Sequence, residues 1–72
     1  MNNNVKDALQ KMLETLDTMD QSIVDIKSMF NAVKEATGLF QEYESKITAK
    51  AQQNVTLCNQ LIETANSLET EI

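Results

Sequence analysis

The sequence predicts an all-α fold: a two-helix antiparallel hairpin with a turn near Gly38, assembling into a coiled coil or four-helix bundle. Three observations predict it. Hydrocarbon recurs about every 3.5 residues from Val5 onward. The chain has no proline, and its single glycine, Gly38, stands near the middle. The only aromatics are Phe30, Phe40 and Tyr43, so a core must be built from Leu, Ile, Val, Met and Ala, the usual material of helical bundles.

The first helix is expected over about residues 4–36. Stepping alternately four and three residues from Val5 meets Val5, Leu9, Met12, Leu16, Met19, Ile23, Ile26, Phe30 and Val33, every one apolar. That spacing keeps one stripe toward a partner along a supercoiled helix, with Leu9, Leu16, Ile23 and Phe30 at a and the others at d. A helix in an ordinary globular core drifts toward a 3.6 period and a wider apolar face. Leu13, Val24, Met29 and Leu39 lie off the stripe and are candidates for a second interface, or else isolated surface apolars.

Gly38 separates two architectures. In the first, it takes the left-handed conformation just past a helix end, and Leu39 folds back onto Val33. The hairpin then pairs Val33 with Phe40, Ile26 with Ile47, Met12 with Leu61 and Val5 with Leu68. In the second, the glycine is tolerated within one continuous helix on the order of 100 Å long, at about 1 kcal/mol relative to alanine. Heptad phase runs unbroken through Gly38, which favours the continuous helix; Thr37 and Glu44 would sit polar in its mid-span, which favours the hairpin. A three-helix arrangement, with another break around Asp17 to Ser22 or at Ser45, stays open.

The second helix is expected over about residues 39–70, completing a single domain over 1–72. Its stripe carries Phe40, Ile47, Leu61, Leu68 and Ile72, diluted by Glu44, Ala51, Asn54 and Ala65. Tyr43, Val55, Leu57 and Ile62 widen its apolar face. From Ala51 to Ile62 the chain carries amides and hydroxyls but no charge. This stretch reads as a wet helix face, or as a polar layer in which Asn54 at d fixes register.

Charge narrows the partners. Eleven acids oppose six lysines, with no arginine and no histidine, for a net charge of −5. Nucleic-acid binders concentrate basic residues on one face, and anionic lipid repels an acidic chain, so neither nucleic acid nor membrane is an expected partner. No apolar run approaches the roughly 20 residues of a membrane span, and Met1-Asn2-Asn3-Asn4 has no basic region leading into an apolar one. Asp7 with Lys11 and Glu42 with Lys46 have the acid-first order of stabilising helical pairs. Glu63, Glu69 and Glu71 oppose the dipole at the carboxyl end, which implies fraying or docking on a basic surface.

Chemistry is sparsely equipped. Without histidine, and with Cys58 remote from any base, the sequence offers no catalytic triad, no zinc set, no phosphate loop and no calcium loop. No catalytic, metal or cofactor residue is expected, and no small-molecule substrate. Cys58 reads as a small buried apolar residue of a reducing, cytoplasmic compartment, with an intermolecular disulfide or a reactive thiol as its rival. Export by a specialised secretion system is left open.

Two helices side by side bury one stripe each, which rarely offsets the entropy of ordering a chain at about 1–2 kcal/mol per residue. A partner helix is therefore expected, in a homo-oligomer or a hetero-oligomer. The function expected is a non-enzymatic protein-protein interaction module, a structural or adaptor subunit binding through its heptad seam. The alternative is a small escort chaperone or inhibitory binder, of secretion-system or phage type, covering a helix of its target. As a small acidic helical hairpin the chain resembles the needle-subunit chaperones of type III secretion. In size and layout it is also similar to RNA-binding hairpin dimers of the Rop kind, from which it departs in lacking a basic face.

Overall fold

The computed structural model describes residues 3–71 and shows the hairpin. Helix α1 spans Asn3–Glu35 and helix α2 spans Phe40–Glu71, joined by the single 3-10 turn Thr37–Leu39. The stripe's last position, Ile72, lies outside the described residues, and at Thr37 only the backbone is described. The long uninterrupted helices follow from a sequence free of proline, in which nothing inside either segment removes a backbone donor.

The turn is tighter than the sequence suggests. Ala36 N–H donates to the Ala32 carbonyl at 3.0 Å, closing the last α-helical bond, and Leu39 N–H donates to Ala36 at 2.9 Å. No glycine has positive φ, so Gly38 does not adopt the expected left-handed cap. The reason is local. The 3-10 bond reverses the chain without any positive φ, and a Cβ added at Gly38 would meet nothing within 4 Å.

Three observations fix the antiparallel register. Asn54 Nδ2 donates to the Met19 carbonyl at 3.2 Å across the seam. Met12 and Leu61 line one groove between the helices. At the open end the two buried apolar side chains are Val5 and Leu68. This is the pairing the stripe predicts, and a connection as short as Thr37–Leu39 leaves little freedom to slip along it.

The hairpin is a rod of 52 × 15 × 11 Å with a radius of gyration of 16.4 Å. A compact domain of this length has a radius near about 11 Å. Its accessible surface is 5501 Å², where a compact monomer of 8.1 kDa exposes about 4,500 Å². Val5 and Leu68 are its only buried apolar side chains among the described residues, and Ser22 its buried polar one. The interior is thus one layer of half-covered side chains between two helices.

Candidate functional site

Each helix splits its hydrocarbon between two directions. On α1, Val5 is buried and Met12, Met19, Ile26 and Val33 are half-buried in the seam. The line beside them that completes the seam is Ala8, Thr15, Ser22 and Met29. Leu9, Leu16, Ile23 and Phe30 form the other flank, and apart from half-buried Leu9 they face outward: Leu16 is 43% exposed, Ile23 44% and Phe30 50%. The single seam expected from the alternation is therefore two seams. Its d positions close the hairpin, and its a positions are left for something else.

Helix α2 divides in the same way. Ile47, Asn54 and Leu61 are half-buried and Leu68 is buried, with Tyr43, Lys50, Leu57 and Thr64 beside them. Phe40, expected opposite Val33, remains 48% exposed next to the turn. Ala51, Val55, Cys58, Ile62 and Ala65 are exposed. Cys58 is thus not the buried residue expected; it stands on the flank that the hairpin leaves uncovered.

Both uncovered flanks lie on one face. Two antiparallel helices meeting through equivalent lines are related by a twofold axis, so equivalent flanks emerge on the same side of the pair. On the opposite side, Asn4, Asp7 and Lys11 of α1 and Gln60 of α2 border a common groove, and Lys50 Nζ reaches Asp25 Oδ2 at 3.1 Å. One face of the rod is therefore polar and ion-paired. The other presents Leu13, Leu16, Ile23 and Phe30 beside Val55, Cys58 and Ile62. Leu13, at 58% exposure, belongs to this face, whereas Val24, at 56%, stands at its margin. Met29 and Leu39, also candidates for a second interface, instead lie half-buried within the hairpin.

Polar contacts secure the seam from the other side. Lys50 donating to Asp25, followed by Gln21 Nε2 donating to the same carboxylate at 3.1 Å, holds the Asp25 carboxyl below the ordinary carboxylate range. Asn54 lies part-buried against Met19, so it belongs to the polar layer and not to a wet face. Its Oδ1 is buried with no hydrogen-bond partner among the described residues. The expected pairs Asp7 with Lys11 and Glu42 with Lys46 do not close; Lys46 Nζ sits 5.8 Å from the centre of the Tyr43 ring. No group of three or more metal-binding side chains occurs among the described residues, and no described helix is long and apolar enough to cross a membrane.

Known proteins add nothing to this geometry. No protein-family model, no curated protein and no solved structure matches the chain.

The inner line was the feature sequence reasoning missed. Ala8, Thr15 and Ser22 carry too little hydrocarbon to register as a seam, yet they recur at heptad spacing beside the d stripe. This recurrence is the signal that could have located the hairpin's contact line.

Proposed function

We infer that this chain is a non-enzymatic interaction module that works by laying its uncovered apolar face against other helices, as a structural or adaptor subunit. The observation that carries this reading is the asymmetry of the rod. Leu13, Leu16, Ile23, Phe30, Val55 and Ile62 are all large, apolar and between 43% and 58% exposed, while the opposite face is polar. Scattered surface apolars are ordinary, but a continuous apolar strip along a helical rod marks a site of association. A sequence without histidine or arginine supports a binding role over a catalytic one.

Cys58 is a built-in reporter of this face. In the isolated hairpin its thiol is open to reagent, so covering the face must slow its reaction with a disulfide reagent. The rate constant is expected to fall at least tenfold as occupancy rises, whether with protein concentration or with an added partner. A thiol that reacts at the rate of an unprotected cysteine under every condition in which the protein associates would remove this face from the interface. An escort that keeps the face for a target predicts a different pattern: no protection at any concentration of the pure chain, and protection only in the target's presence.

A further inference from the structure

We propose that the occupant of the apolar face is a second copy of this chain, related by a twofold axis along the length of the rod, giving a four-helix bundle with both turns at one end. The proposal rests on the reading of the face as a helix-binding surface and specifies what binds there. The two flanks are complementary.

Rotation about the long axis leaves every residue at its own height. The register seen within the hairpin, with Met19 level with Asn54, therefore also sets α1 of one copy against α2 of the other. Carried across, that register places Leu9 against Ala65 of the second copy, Leu16 against its Cys58 and Ile23 against its Ala51. In these three layers a large side chain on α1 meets a small one on α2, and in the fourth, next to the turns, Phe30 meets Glu44. At the outer positions Leu13 falls against Ile62 and Lys6 against Glu69, while Glu44 of the second copy lies between the heights of Lys27 and Lys34. Large-on-small layers hold the two helix axes at even spacing, and the rim charges meet with opposite sign.

The other twofold arrangement, end over end, does the reverse. It brings α1 against α1, setting Leu9 on Phe30, Leu16 on Ile23, Lys6 near Lys34 and Asp20 on Asp20. Bulk meets bulk on one side of that bundle, and Ala51, Cys58 and Ala65 face one another on the other, with like charges opposed along α1. The excess surface also has the right size. The hairpin exposes 5501 Å², about 1,000 Å² more than a compact monomer of its mass, and a stable dimer buries about 800 Å² per partner.

The experiment is a distance measurement by pulsed electron resonance. Glu35, exposed beside the turn, is changed to cysteine and spin-labelled in a Cys58→Ser background, after sedimentation equilibrium has given the mass of the assembly. The expected result is twice 8.1 kDa and a label separation of about 20 Å, the width of a bundle. A separation on the order of 45 Å, close to the length of the rod, would mean end-over-end pairing and overturn the proposal while leaving the helix-binding reading intact. A trimer or larger assembly would overturn it in the same way. A monomer at every concentration would remove self-pairing; if its stability were also unchanged by Leu16→Asp with or without any added protein, the helix-binding reading would fall with it.

Discussion

Replacing Asn54 by leucine is expected to stabilise the protein, although it removes a hydrogen bond that spans the two helices. The side chain donates through Nδ2 to the Met19 carbonyl at 3.2 Å. Losing such a bond costs about 1 kcal/mol net, and the Met19 carbonyl keeps its helical partner. Against this, the substitution removes the buried and unpartnered Asn54 Oδ1, a group of the kind that costs about 1–3 kcal/mol. Leucine at a half-buried position adds roughly 1 kcal/mol of apolar burial, about half of what full burial gives. Some of that gain is offset by its larger volume, since overpacking costs about 1 kcal/mol at the low end. The balance is a gain of about 0–2 kcal/mol, centred near 1. Urea denaturation at matched protein concentration should place the midpoint higher by on the order of 1 M, taking a slope near 1 kcal/mol/M for a small chain. Because the Thr37–Leu39 turn already sets the register, the fold should be unchanged. A midpoint that falls would refute the reasoning, showing that the Asn54 tie outweighs its orphaned oxygen.

Two further outcomes follow from the same structure. Gly38→Ala should stabilise by about 0.4–1 kcal/mol, or roughly 2–8 °C in thermal midpoint, because the turn has no positive φ and has room for a Cβ; a drop of several degrees would show that the turn requires a left-handed residue. Since Lys50 and then Gln21 hold the Asp25 carboxyl below its ordinary range, the tie contributes fully above that range and is lost as pH falls through the lowered value, below about pH 4; Asp25→Asn should therefore flatten the acid limb of stability against pH, and a limb of unchanged steepness would contradict this.

How much of this was legible in the residues depends on side-chain size. The pairings of Met12 with Leu61 and Val5 with Leu68 could be named in advance, because hydrocarbon on both helices keeps the same period and the one glycine marks the reversal. The choice of flank could not be made by counting carbon. Leu9, Leu16, Ile23 and Phe30 outweigh Ala8, Thr15, Ser22 and Met29 in hydrophobicity, yet the smaller set closes the hairpin. On α2 the division runs the other way: Tyr43, Lys50 and Leu57 lie in the hairpin while the smaller Ala51, Cys58 and Ala65 face outward. Cys58 belongs to that outward line of α2, so the residue expected in the interior stands at the surface. Asn54 was ambiguous because an amide at d suits a polar layer or a wet face equally well, and only the position of the Met19 carbonyl decides. The ion pair was hidden as well: Lys50 and Asp25 are far apart in sequence, and the helix rules that nominate Asp7 with Lys11 and Glu42 with Lys46 cannot foresee a partner across the seam.

Dilution tests the central claim most directly. The outward hydrocarbon at Leu16, Ile23 and Phe30 must be covered by another helix for the rod to be stable, so helicity by circular dichroism and mass by light scattering should fall together as the protein is diluted, with a thermal midpoint that rises with concentration. A fully helical chain of 8.1 kDa whose melting is the same at every concentration would contradict the account.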